Sequence, residues 1–167
     1  MIIKQDHLIE SIHSALQYIS YYHPPDFIES MSRAYEREAS ESAKNAIGQI
    51  LINSRMAAEG HRPMCQDTGI VVVFIKIGQS VVIDGDISLQ NAIDEGVRQA
   101  YTDPDNPLRA SVVSPPIGER RNTGDNTPAV VHIEMVTGDT LEITVAAKGG
   151  GSENKARLGM LNPDRKS

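Results

Sequence analysis

Cysteine is nearly missing from this chain of 167 residues: Cys65 is the only one. A single cysteine rules out the disulfide framework of a small secreted fold. It cannot close a zinc site either, and the five histidines show neither H-x-x-x-H nor H-E-x-x-H spacing. Tryptophan is absent, and the aromatic residues amount to five Tyr and two Phe. The core must therefore be built from Ile, Val, Leu, Met and Ala. Positive charge is scarce too: 16 Lys and Arg stand against 22 Asp and Glu, a net charge of −6. That balance makes the chain a poor candidate for wrapping nucleic acid, which wants a basic face. The longest apolar run, residues 70–75, is too short to cross a bilayer. The start, Met1-Ile2-Ile3-Lys4-Gln5-Asp6, has neither the basic opening nor the long apolar stretch of a signal peptide. The expected compartment is the cytoplasm.

What is present fits one domain over residues 1–167, with 40% hydrophobic and 23% charged residues. Leu8, Ile9, Ile12, Leu16 and Ile19 recur at helical spacing and predict a helix over residues 4–23, with Asp6 as N-cap. Pro24-Pro25 ends it and opens a second helix, whose face carries Phe27, Ile28, Met31, Ala34 and Tyr35. A third helix runs from Ser40 to a C′ glycine, Gly60. Residues 70–77 are β-branched and almost wholly apolar, which predicts a buried strand, and Val81-Val82-Ile83 extends its sheet. Ser88 caps a helix over residues 89–101. The stretch 102–128 is rich in Pro, Asn, Gly and Arg, and loops of that length tend to carry function. Residues 129–136 and 141–147 predict a hairpin across a tight turn at 137–140. This order predicts an α+β fold, with N-terminal helices packed on a small, mainly antiparallel sheet.

Chemistry concentrates in two strings. Cys65-Gln66-Asp67-Thr68-Gly69 puts a thiol, an amide, a carboxylate and a hydroxyl side by side. A thiolate attacks electrophiles or binds metal, whereas a buried filler cysteine would have apolar neighbours. Lys148-Gly149-Gly150-Gly151-Ser152-Glu153-Asn154-Lys155 offers bare backbone N–H groups and flanking donors, suited to a carboxylate or phosphate. It is neither a P-loop nor G-x-G-x-x-G. Arg109, between turn formers, can grip a carboxylate with two prongs. The polar string Asn122-Thr123-Gly124-Asp125-Asn126-Thr127 joins the site only if it folds against the others.

Together with Pro128-Ala129 and Ala147, these strings resemble the class I fumarate hydratases, which are oxygen-sensitive iron–sulfur hydro-lyases related to the α subunit of L(+)-tartrate dehydratase. Ile52-Asn53-Ser54-Arg55-Met56 and Gly60-His61-Arg62-Pro63 resemble the family's approach to its first cysteine. The resemblance runs from the first helix to about Asn162-Pro163. It implies reversible hydration of fumarate to L-malate at a [4Fe–4S] cluster, with Cys65 as one cluster ligand. It further implies that Asp67 acts in catalysis and handles the leaving water. Gln66, Arg109, Gly149, Gly150 and Gly151 are then the substrate contacts. The family's other cluster cysteines and its catalytic base have no counterpart in these 167 residues, so the chain is expected to be an inactive N-terminal portion that holds no intact cluster alone. The implied partners are a small dicarboxylate and either a second copy, as homodimer, or the missing C-terminal part. Three other readings remain: a metal-free dicarboxylate- or phosphate-binding module, an L(+)-tartrate dehydratase α-type subunit, and a Cys65 nucleophile with His61 as its base.

Overall fold

The computed structural model of the chain describes residues 1–66, 68–149 and 159–160. Two helices and one three-stranded sheet make the core. Helix α1 (Gln5–Tyr21) turns Leu8, Ile12 and Leu16 inward, one helical turn apart. Helix α4 (Leu89–Tyr101) meets it with Ala92, Ile93, Val97 and Ala100, all fully buried. Ser88 caps α4 as expected, its Oγ accepting the Asn91 N–H at 3.2 Å. The two helices approach to backbone contact at Gly96. A Cβ there would lie 2.8 Å from both the Ile9 carbonyl oxygen and the Ile12 Cβ.

The sheet is β6–β2–β7, with β2 (Ile70–Gly78) in the middle. Strand β6 (Val130–Val136) runs parallel to β2, and β7 (Leu141–Lys148) runs antiparallel to it. The α+β class therefore stands, but the sheet is mixed rather than mainly antiparallel. The expected hairpin is also corrected: β6 and β7 do not pair with each other, because β2 lies between them. Residues 137–140 arch over the end of β2, and the N–H groups of Gly78, Gln79 and Ser80 bond the carbonyls of Thr140, Val136 and Gly138 at 2.8–2.9 Å. A Cβ on Gly78 would sit 2.5 Å from the Gly138 oxygen, so the arch needs glycine at that position. Alternation marks a strand without naming its neighbour.

Strand β2 is not buried on both sides. Val71, Val73 and Ile75 face the helices and are buried, while Ile70, Phe74 and Lys76 point outward and are exposed. Val82-Ile83 does not extend this sheet. It belongs to β3 (Val82–Asp84), which pairs in parallel with β1 (Ile2–Lys4), a strand the sequence did not reveal. Two short strands, β4 (Val113–Ser114) and β5 (Arg121–Asn122), pair within the long connection. Helices α2 (Pro25–Arg37) and α3 (Glu41–Gly60) form a helical hairpin beside the core. Two expected caps differ. Lys4, not Asp6, is the N-cap of α1, leaving Asp6 in the first turn. His61, at φ 47°, takes the left-handed position expected of Gly60. Among the described residues no helix is long and apolar enough to cross a membrane.

Candidate functional site

Strand register brings the two chemical strings to one end of the sheet. Ile70 pairs with Lys148, so the loop that enters β2 and the glycine run that leaves β7 begin side by side. Gly69 makes this approach possible. Its φ is +82°, and a Cβ would fall 2.6–2.8 Å from the backbone of Lys148.

Distant segments hold the cysteine loop in place. The Met64 N–H donates to the Ser20 carbonyl at the end of α1 (2.9 Å), and Asn53 of α3 donates to the Met64 carbonyl (2.8 Å). The Thr68 hydroxyl donates to the backbone oxygen of Arg109 at 2.6 Å. The Tyr101 hydroxyl, at the end of α4, lies 2.8 Å from the Thr68 oxygen and 3.1 Å from the Gly69 oxygen. Asn126 completes the clamp. It is fully buried at φ 63° and donates to the Gly69 oxygen at 2.6 Å, while its Oδ1 accepts the N–H groups of Ser111 and Val112 at 2.8 and 3.0 Å. Three backbone groups are bonded by one side chain, as burial demands. Next to it, burial pushes the Asp125 carboxyl up. Bonds from the Thr127 N–H and hydroxyl and from Arg98 outweigh that push and hold it below the ordinary range.

Beneath the loop lies a cavity of about 170 Å³. Leu16, Ile19, Met64, Tyr101 and Leu108 make its walls apolar, and Cys65 sits in its rim. Cys65 is an exposed residue rather than a packed filler.

A sequence model of the Fumerase family, described as fumarate hydratase, matches residues 9–167. The chain belongs to this family. Among its relatives is a Methanocaldococcus jannaschii protein named for the α subunit of L(+)-tartrate dehydratase, 37% identical over 145 residues. That match covers 85% of this chain and 50% of the relative. The aerobic class I fumarate hydratase of Escherichia coli (strain K12) is 42% identical over 122 residues, covering 72% of this chain and 22% of that protein. Fumarate hydratase 2 of Leishmania major is 32% identical over 157 residues, covering 90% of this chain and 27% of that protein. The chain thus spans half the length or less of these relatives.

Within this Fumerase-family chain, the residues singled out by sequence sort into three groups. The loop of Cys65 and Gln66 is tied to the backbone of Arg109 through Thr68, and Gly149 follows the β7 end that pairs with Ile70. The side chains of Gln66 and Arg109 are exposed. Asp67, Gly150 and Gly151 lie outside the described residues. His61 is engaged elsewhere: its ring stacks on Tyr21 at 4.9 Å, and its Nε2 lies 3.2 Å from the Tyr22 hydroxyl. It lines a separate polar cleft, away from the cavity that Cys65 rims. The 122–127 string does fold against the cysteine loop, through Asn126. Sequence reasoning did not single out Tyr101 or Asn126 as the clamps. The available signal for Asn126 was its tolerance of positive φ within a Gly-Asp-Asn string.

Proposed function

We propose that this chain supplies part of the active site of an iron–sulfur hydro-lyase that reversibly adds water to fumarate to give L-malate. The observation that supports this is that Thr68 of the cysteine loop bonds the Arg109 backbone and that this loop enters β2 beside the end of β7 that leads to Gly149. Its class follows from the family and from relatives named as class I fumarate hydratases. In this reading the Cys65 thiolate is one ligand of a [4Fe–4S] cluster. Iron–sulfur clusters are held by several cysteine thiolates. With one cysteine in 167 residues, the chain fits one ligand position and not the whole cluster, so no reaction step is routed through the group. The further ligands and the catalytic base come from polypeptide matching the rest of the relatives' length. Such thiolate chemistry suits a reducing compartment, and the proposed location is the cytoplasm.

The chain's own residues then bind and orient. The Arg109 guanidinium pairs two-pronged with one substrate carboxylate. The N–H groups of Gly149, Gly150 and Gly151 take the other, with Gln66 fixing orientation. Asp67 is the group that exchanges a proton with the departing or attacking water. A tartrate-type substrate is the second reading, favoured by the Methanocaldococcus jannaschii match, which spans 50% of that α subunit.

Anaerobic reconstitution with iron and sulfide tests the proposal. The chain alone is expected to give neither a stable cluster absorbance nor malate. Combined with polypeptide matching the relatives' other half, it is expected to turn over fumarate, and Cys65→Ser abolishes both signals. A Cys65→Ser protein that keeps cluster and turnover overturns the assignment. Turnover of L(+)-tartrate in place of fumarate selects the second reading.

A further inference from the structure

The central sheet is covered on one side only. Its inner face is buried under α1 and α4 along β2, while Ile133 and Met135 of β6 stay exposed. On its outer face Ile70, Phe74 and Val130 are 43%, 47% and 46% exposed. Register sets Val72 beside Val130 and Ala146, and Phe74 beside His132, so these residues form one continuous patch across three strands. The Phe74 ring stacks on the His132 ring at 5.0 Å. A solvated sheet face normally carries polar residues at such positions, and a contiguous apolar patch marks an interaction surface.

The patch has a direction. At the far end of the same face stand Glu134 and the ion pair of Lys76 with Glu142, 3.3 Å apart. The more apolar half, interrupted by Thr144 beside Phe74 and by Lys148 at its edge, is the end with Ile70, next to the cysteine loop and Gly149. Cys65 lines the cavity on the helix side of that sheet end, with Leu16, Ile19 and Tyr101, so whatever covers the patch arrives at the end of the sheet where the cysteine loop enters.

We infer that this apolar half-face is the docking surface for polypeptide equivalent to the half of the α-subunit relatives that this chain does not match. The inference rests on the function proposed above and names where the relatives' unmatched half would sit. Three observations select this occupant. The matched α subunits are twice as long as the aligned region, at 50% and 51% coverage, so a comparable mass must pack somewhere. The chain holds one cysteine, so the site needs further groups delivered to that sheet end. The patch is most apolar there.

The test uses the chain as it is and, as a separate polypeptide, the unmatched half of the Methanocaldococcus jannaschii relative, mixed without iron. Light scattering gives the mass of the complex and titration calorimetry its affinity. A one-to-one complex is expected, weakened about 100-fold or more by Phe74→Asp, as for a central interface anchor. Ile52→Asp, on the exposed side of α3, should bind like the wild type. Circular dichroism checks that Phe74→Asp folds; if it does not, Val130→Asp serves the same measurement. The inference is overturned if no complex forms, or if the patch variants bind as the wild type does. A wild-type dimer that Phe74→Asp turns into a monomer also overturns it, by giving the face to a second copy. Because iron is absent, the result is independent of the hydratase proposal. An intact complex without turnover sinks the function alone, and an active pair docked through another face sinks this inference alone.

Discussion

The molecule contains two helix pairs that look alike in sequence and differ in what they bury. Helices α1 and α4 put Leu8, Ile12, Leu16, Ile93 and Val97 out of reach of water. Helix α2 has an equally clear apolar face in Phe27, Ile28, Met31, Ala34 and Tyr35, yet none of its residues is buried. The α1–α4 pair lies on the sheet, whereas α2 packs on α3, leaving Tyr35 of α2 and Ile50, Ile52 and Met56 of α3 exposed. Amphipathic spacing thus fixes which face a helix offers, and the third layer decides whether that face becomes core.

The largest test of this contrast is one substitution made in both places. Ile93→Ala removes a fully buried side chain and is expected to cost about 2–5 kcal/mol, because the packed layer cannot close the hole. Ile28→Ala, in the open groove between α2 and α3, is expected to cost less than half as much. Urea unfolding of the two variants measures both. Equal losses would mean that the hairpin is as firmly packed as the core.

Glycine offers a finer comparison, with opposite signs. Replacing a mid-helix glycine by alanine adds about 1 kcal/mol of helix preference at either site. At Gly96 the new methyl meets the Ile9 carbonyl and Ile12 at 2.8 Å, and backbone cannot step aside cheaply. Overpacking of this kind costs about 1–3 kcal/mol, so Gly96→Ala should be net destabilising. At Gly48 the nearest atom is the edge of the Tyr35 ring at 3.2 Å. That ring is 38% exposed and meets solvent and the Lys44 ammonium rather than packed core, so Gly48→Ala should be neutral or stabilising by about 0.5 kcal/mol. Melting temperatures that move in the same direction would break the contrast.

The sequence was most informative where structure is local. The Ser88 cap, the helix that follows it, and the start of α2 at Pro25 were all legible, because propensity and capping act within one turn. Partnering was not. Strand β2 reads as buried on both sides because its outer residues are apolar too, and only the fold shows that face uncovered. The 129–147 region reads as a hairpin because nothing in its pattern announces a strand inserted from 52 or more residues upstream. At the site, Cys65 stood out by rarity. Tyr101 and Asn126 stayed hidden because they act on the backbone oxygens of residues 68 and 69, contacts that span 32 to 57 positions in sequence.

Acidity separates the same two regions by the smallest effect. At the root of the α2–α3 hairpin, the His23 ring stacks on Phe27 at 4.2 Å and its Nδ1 bonds the Ser54 hydroxyl at 3.0 Å. Burial lowers its pKa from the ordinary value of 6.5. The folded hairpin therefore favours the neutral ring. Its contribution is complete above the unfolded value and is lost as pH falls from there through the lowered folded value. Beside the core pair, the Asp103 carboxyl is held below the ordinary carboxylate range first by its bond to His13 and then by the N–H of Asp105. Its contribution is present above about pH 3.9 and disappears only below that. Going from about pH 7 to about pH 5.5 should loosen α2 and α3 while leaving α1 and α4 unchanged. Amide exchange, corrected for intrinsic rates, measures this helix by helix. His23→Gln cannot take up the proton and should erase the difference. If α1 opens together with α2, the hairpin and the core respond as one unit and the contrast between them fails.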